Sequence, residues 1–330
     1  MNDRIKVALI YKKSYEFLSG NYFDNTSYHF FMYALKRNKK IEVDYFPAEN
    51  SFDTSKLKGK YDLILLPNNY TDGTPDELIG IKNVGIPVIS RTGDPHYAKR
   101  LNQFQFHEKF NIDYYFNFMH ADYFHEFYPK TFNYKTIIWG LEPGLYKNLP
   151  TFKERIKDKI LNSGATGKNK IISRVANRIL NPKRSGWYFY KLRTMCNDIP
   201  NTVHSKMMGD KYPNTNYQDL LSKYRGVIAA TTFYPSVKYW EIPAAGCLTF
   251  MEITRKNRGE YLGYRDGESA LFINEDNYKE KFEEFLQEPD NPKWENIAIA
   301  GKKHALENLN NDKAVNDLVN LMEELLYGKK

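Results

Sequence analysis

The chain has 330 residues, 42 % of them hydrophobic and 15 % aromatic, with a formal net charge of +8. That length exceeds one small core and suits two domains, and the basic balance favours anionic ligands such as nucleotide sugars, nucleic acids or anionic membrane surfaces without choosing among them. Two cysteines, Cys196 and Cys247, make no disulfide framework and no Cys-x-x-Cys pair, and no apolar run has the length of a signal peptide or membrane span, so a cytoplasmic protein is expected, with peripheral contact at the inner face of the membrane left open.

Short apolar runs alternate with amphipathic stretches in the first half. Strands are predicted over 6–11, 41–46, 61–67, 86–90, 112–118 and 134–139. Helices are predicted over 28–37 and over 75–82, the latter with Thr74 as N-cap and Pro75 at the first helical position. An aromatic helix over 118–128 carries His120 and His125, both expected to pack. The pattern loosens over 140–157, where Pro143, Gly144 and Pro150 mark a linker. A second series then gives strands over 159–163, 226–232, 247–253 and 270–273. Its helices are predicted over 171–180, 186–196, 217–224, 278–286, 294–309 and 313–327. Strands alternating with helices imply parallel βαβ units. The expected architecture is α/β, with two Rossmann-like doubly wound domains facing across a cleft. They are assigned to 1–150 and 151–330, with the last helix packing back on the first domain as a possible variation.

The run KYWEIPAAG at 238–246 is the most informative. Lys238 and Glu241 are three apart and share a helical face, at the carboxyl end of the preceding strand, where open α/β sheets bind ligands. A cation and a carboxylate one turn apart suit the phosphates and ribose of a nucleotide, although an ordinary surface ion pair has the same spacing. Pro243 requires the helix to be short or kinked. The loop from Ser163 to Asn169 holds Gly164 and Gly167, which allow close approach to a phosphate, and Lys168 adds charge. It is not a Walker A loop, because only two residues separate the glycines. Arg174, in the next helix, has the planar fork for a diphosphate. In the first half, Asp94 and His96 leave the end of a strand, where a general base or sugar contact is placed. The loop over 14–25, with Gly20 and several aromatics, is a candidate acceptor contact. There is no Asp-x-Asp, no zinc spacing and no Gly-x-Ser-x-Gly. No metal is therefore expected, and Lys168, Arg174 and Lys238 would balance a diphosphate.

Residues 238–246, the LGYRDGE run at 262–268 and the helix over 294–309 together resemble the group 1-like glycosyltransferases of the two-Rossmann-domain type, including the spore-maturation-protein branch. The resemblance covers roughly residues 159–310. It implies a nucleotide-sugar donor held by the second domain, with Glu241 on the ribose hydroxyls and Lys238 beside the diphosphate. It further implies Ser163 and Gly164 in the loop under the phosphates, Arg174 following them, and Gly267 and Glu268 lining the donor. Retaining relatives often carry a second glutamate eight positions before the ribose carboxylate; here that position is Phe233.

The expected function is metal-independent transfer of a sugar from a nucleotide-diphosphate sugar to a glycan, lipid-linked or protein acceptor, with no cofactor. His96 or Asp94 serves as base if the reaction inverts. The alternatives are a catalytically degenerate carbohydrate- or nucleotide-binding protein on the same fold, and a nucleotide-sugar isomerase. Nucleic acid binding is disfavoured, because the basic residues are dispersed and no recognised motif occurs.

Overall fold

The computed structural model describes residues 4–15, 33–69, 73–167, 170–180, 186–205 and 217–328. The chain divides into two compact units. One runs to Gly140 and resumes at Asn311; the other is Leu141–Asn310.

The first unit is built on six parallel strands: β1 (Ile5–Lys12), β2 (Ile41–Ala48), β4 (Leu63–Leu66), β6 (Val88–Arg91), β7 (Tyr114–Asn117) and β8 (Tyr134–Thr136), in the order β2-β1-β4-β6-β7-β8. A separate parallel pair joins β3 (Ser51–Asp53) to β5 (Glu77–Ile79). The helices between them are α1 (Leu35–Arg37), α2 (Gln103–Phe110) and α3 (Ala121–His125). The central strands are apolar on both faces: every residue of β4 is buried, as are Val7 to Ile10 of β1. This is the signature of a parallel sheet covered on both sides.

The second unit carries five parallel strands: β9 (Ile156–Ser163), β10 (Thr202–Ser205), β11 (Tyr224–Ala229), β12 (Leu248–Glu252) and β13 (Leu271–Ile273), ordered β10-β9-β11-β12-β13. Its helices are α4 (Ile171–Leu180), α5 (Gly186–Phe189), α6 (Lys191–Cys196), α7 (Tyr217–Leu221), α8 (Lys238–Ala244), α9 (Tyr278–Gln287) and α10 (Pro292–Asn308). Strand order reverses between β9 and β11, so the switch point lies where those two strands end, at Ser163 and Ala229. The last helix, α11 (Asn311–Tyr327), belongs to the first unit. Its buried Val315, Leu318, Val319 and Met322 pack with Val7, Leu9, Leu63 and Leu65.

Several expectations fail locally. Residues 75–82 are not a helix. Leu78 alone is buried between exposed Glu77 and Ile79, a period of two, and Gly80 turns the chain at φ +77°. Thr74 caps nothing there; its hydroxyl donates to the Asn68 carbonyl at 2.7 Å. The predicted helix over 186–196 is broken at Tyr190, whose backbone (φ −134°, ψ 41°) leaves the helical region. The helix over 118–128 shrinks to α3, which His120 caps by accepting from the Asp122 amide. The helix over 217–224 ends at Leu221, since Tyr224 opens β11. Strands β3 and β10 and helix α2 have no counterpart among the predicted elements. Of the helix over 28–37, residues 28–32 lie outside the described residues, as does most of the 14–25 loop.

Helix α8 is held at its C-terminal end. The Arg155 guanidinium donates to the Ala245 carbonyl at 2.8 Å and to the Pro150 carbonyl at 2.7 Å, tying down its C-terminal end. Gly301 lets α10 lie against the Ser269 carbonyl and Pro243; a Cβ at 301 would overlap that carbonyl. Gly301→Ala is therefore expected to destabilise the protein by about 1–3 kcal/mol, the usual cost of overpacking, read as a lower denaturation midpoint with an unchanged m-value.

Candidate functional site

At the switch point of the second unit the chain turns sharply after β9. Gly164 has φ +98°, a conformation that L side chains rarely adopt. Its amide donates to the Ser205 carbonyl at 2.8 Å, which ties the loop to the end of β10. The space where a side chain at 164 would stand is occupied. A Cβ there would overlap the Lys238 ammonium and lie 2.9 Å from Arg193 Nη1.

Two cations thus converge on one carbonyl. Lys238, the first residue of α8, donates from Nζ to Ser163 O at 2.5 Å, and Arg193 of α6 donates to the same oxygen at 3.2 Å. The Ser163 hydroxyl lies 2.8 Å from the Tyr217 hydroxyl, and the His204 imidazole Nε2 lies 2.9 Å from Gly164 O. Arg193 is only 3 % exposed and stacks on Tyr190, with its Cζ 4.1 Å from the ring centroid. Its Nε has no hydrogen-bond partner. Neither Arg193 nor Lys238 forms a salt bridge with a carboxylate among the described residues. Burial, and secondly the neighbouring Arg193 charge, holds the Lys238 amine well below the ordinary lysine range; Glu241 opposes the shift. Burial likewise lowers the affinity of the Arg193 guanidinium for its proton.

Glu241 lies one turn along α8 from Lys238. Burial pushes its carboxyl up to about 7, against the pull of the Lys238 charge. Its carboxylate accepts no hydrogen bond among the described residues. A second buried acid, Glu252, ends β12 at 5 % exposure, with Oε2 unpartnered. Burial first, then Glu275, pushes it up to about 7.

These cations open onto a pocket of about 470 Å³ lined by Gly164, Thr166, Arg193, His204, Thr231, Phe233 and Lys238, among others. One wall is aromatic. Phe233 sits 4.4 Å from Tyr188 and 5.5 Å from Phe189 between ring centroids, and the Lys256 ammonium lies 4.5 Å from the Phe233 ring centre. Two crowded cations with no carboxylate in ion-pair contact are costly unless an anion completes them. A cationic floor at a switch point, beneath an apolar and aromatic wall, suits a phosphorylated ligand with a flat or ring-shaped body.

The structure brings together Ser163, Gly164 and Lys238, with Glu241 following on the same helix. Arg174 stands on α4 with its guanidinium stacked over Trp187 at 3.4 Å, and does not line the pocket. Gly267 and Glu268 border a separate shallow depression with Lys281 and Trp294, where Glu268 pairs with Arg265 at 3.4 Å. Lys168 lies outside the described residues. Asp94 and His96 belong to the first unit, just after β6; His96 Nδ1 is 3.3 Å from the Tyr123 hydroxyl, and its ring lies 4.1 Å from that of Tyr97. Among the described residues no cluster of three His, Cys, Asp or Glu is placed to hold a metal ion.

Sequence reasoning missed Arg193, His204, Tyr217 and Glu252. Arg193 interrupts the apolar Leu192 and Cys196 in the middle of a helical run, and that interruption is the one local sign it carries. The other three have none, because their meeting is made by strands far apart in sequence.

No family model and no curated protein matches the sequence. Among solved structures the chain is similar to an alpha-glucosyltransferase in complex with UDP-glucose and DNA containing an abasic site, at 9 % identity and a TM-score of 0.57, over 97 % of this chain and 99 % of that one. It is also similar to sucrose-phosphate synthase from Thermosynechococcus elongatus, at 12 % and 0.58, over 99 % and 100 %. A third is HepE from Anabaena in complex with UDP, at 11 % and 0.56, over 98 % and 100 %. At such identities the likeness establishes the fold. The architecture is α/β with two Rossmann-like units and parallel sheets, the fold of the GT-B glycosyltransferases.

Two outcomes follow for the pocket floor. Gly164→Ala is expected to displace Lys238 and strain the turn, lowering stability by about 1–3 kcal/mol, measured by thermal unfolding. For Glu252, folding raises the carboxyl from its ordinary 4.5 to about 7, so its charged form costs stability. That cost is absent below pH 4.5, grows as pH rises towards 7 and is constant above. Glu252→Gln is therefore expected to stabilise the ligand-free protein at alkaline pH by about 1–3 kcal/mol and to have little effect in acid, as read by denaturant titrations at both ends of the range.

Proposed function

We propose that the second unit holds a nucleotide-diphosphate sugar and that the protein is a glycosyltransferase passing the sugar to a hydroxyl acceptor. The observation that carries this reading is the pair of cations, Lys238 and Arg193, converging without a carboxylate partner on the Gly164 turn at the switch point. A diphosphate in the pocket completes their charge, and the absence of a Cβ at 164 leaves room for the Lys238 ammonium that meets it. Glu241 then meets the ribose hydroxyls, as the resemblance of the 238–246 run implies. The spore-maturation branch of the family rests on the sequence resemblance of residues 238–246, 262–268 and 294–309.

In the transfer, the bond between the anomeric carbon and the diphosphate oxygen breaks. A new bond forms to the acceptor oxygen, and the acceptor proton leaves. Negative charge grows on the departing diphosphate, and Lys238 and Arg193 stabilise it where it develops. These two cations fill the role that a metal ion has in other diphosphate sites, so transfer is proposed to be metal-independent. His96 or Asp94 takes the acceptor proton if the anomeric configuration inverts. Uridine donors are the first to test, because two of the solved proteins of this fold named above, the alpha-glucosyltransferase and HepE, were captured with UDP-glucose and UDP.

One feature favours a second reading, a protein that binds such a donor without transferring it. Phe233 stands where a sugar-gripping glutamate is found in retaining relatives, and its ring is packed between Phe189, Tyr188 and the Lys256 ammonium.

Thermal unfolding with UDP-, GDP-, TDP- and CMP-sugars, with and without magnesium, tests the donor assignment, since tight binding raises the melting temperature by mass action. A shift with one nucleotide class, indifferent to magnesium, is expected. Glu241→Ala is expected to weaken that donor by about 10- to 100-fold, the loss of hydrogen bonds to a charged group. A Glu241→Ala protein with undiminished donor affinity overturns the ribose assignment. Nucleotide release that needs an acceptor separates transfer from binding alone.

A further inference from the structure

Helix α4 wears its apolar side outward. Ile171, Ile172, Val175 and Ile179 are 76, 85, 53 and 75 % exposed. At about 100° per residue these four fall within an arc of about 100°, so they form one stripe. Ser173 and Arg174, off that stripe, are half-buried, with the Arg174 guanidinium stacked on Trp187. A surface helix of a globular domain normally has the reverse arrangement. The helix is not needed for the crossover from β9 to β10. Helix α6 serves that purpose, burying Leu192 and Cys196 in the sheet core, whereas α4 lies in the long stretch before it.

The charge along this segment of the sequence has one sign. From 168 to 184 the sequence carries Lys168, Lys170, Arg174, Arg178, Lys183 and Arg184 and no Asp or Glu. An exposed aliphatic stripe within a purely basic segment is the composition of a helix lying in the plane of a lipid interface. A second copy of this chain is a poor match for the stripe, because a two-fold contact would set the same positive segments against each other. We propose that α4 docks the protein on an anionic phospholipid surface, with Ile171, Ile172, Val175 and Ile179 in the headgroup–acyl boundary and the flanking cations on the lipid phosphates. The proposal does not rest on the donor assignment, and its test needs no nucleotide sugar.

The test is co-sedimentation of the full chain with phosphatidylglycerol–phosphatidylcholine vesicles and with phosphatidylcholine vesicles, at low and high salt. Binding is expected on the anionic vesicles, about tenfold or more weaker on phosphatidylcholine alone, and reduced by salt as the Debye length shortens. Ile172→Glu/Ile179→Glu is expected to cut the partition about tenfold or more with an unchanged melting temperature, since both positions are exposed. The uncharged pair Ile171→Ser/Ile172→Ser is expected to act in the same direction, which separates lost apolar contact from added negative charge. Failure of the wild-type protein to bind anionic vesicles overturns the proposal, as does undiminished binding by both variants. A lipid-free dimer that the variants dissolve also overturns it, and assigns the stripe to a second copy.

Discussion

The candidate site depends on one exchange of space. Residue 164 has no side chain, and the Lys238 ammonium stands where one would be. The chain after β9 can therefore turn at positive φ while a cation from the far side of the switch point reaches the Ser163 carbonyl. Everything nearby is arranged around that cation. Arg193 shares the same carbonyl, the Ser163 hydroxyl meets Tyr217, and His204 lies against the next carbonyl. A carbonyl oxygen offsets little of the cost of crowding the Lys238 amine against the buried Arg193 guanidinium. The ligand-free protein is thus left with an electrostatic demand that an anion meets.

That demand rests on packing some distance away. Arg155 ties the C-terminal end of α8, and Gly301 brings α10 close against Pro243, so Lys238 projects from a short helix fixed at its far end. Pro243 fits because the helix has only seven residues. The interior proline limits its length, and the tertiary contacts replace the hydrogen bonding that a longer helix would supply. Two acids nearby, Glu241 and Glu252, are pushed towards neutrality by burial. The Lys238 amine is shifted towards neutrality as well, by burial and by the Arg193 charge, so an anion bound beside it favours its charged form.

The outward stripe of α4 is a different kind of departure from an ordinary globular surface. Arg193 of the pocket is buried and waits for a charge, whereas the isoleucines of α4 are exposed and wait for apolar contact. The basic residues of the chain, read as dispersed from composition, thus include a segment of single sign between β9 and β10.

The sequence by itself determined the class of fold and most of its strands. The buried runs of β1, β4, β11 and β12 are continuous and apolar, and strands covered on both faces need no partner information to be recognised. The spacing of Lys238 and Glu241 was likewise local, being one turn of one helix. Short edge elements such as β3, β5 and β10 escaped, because three or four half-exposed residues become strands only when a neighbour supplies the hydrogen bonds. Residues 75–82 show the same limit from the other side: their helical signals at Thr74 and Pro75 were outweighed by pairing with β3. Only the tertiary structure decided which side chains meet at the switch point. Arg193, His204, Tyr217 and Glu252 come from four separate elements, and Gly267 and Glu268, though part of the same sequence resemblance as Lys238, fall in another depression. Convergence of this kind depends on strand order, which reverses between β9 and β11, and no local pattern of residues encodes where that reversal places a side chain.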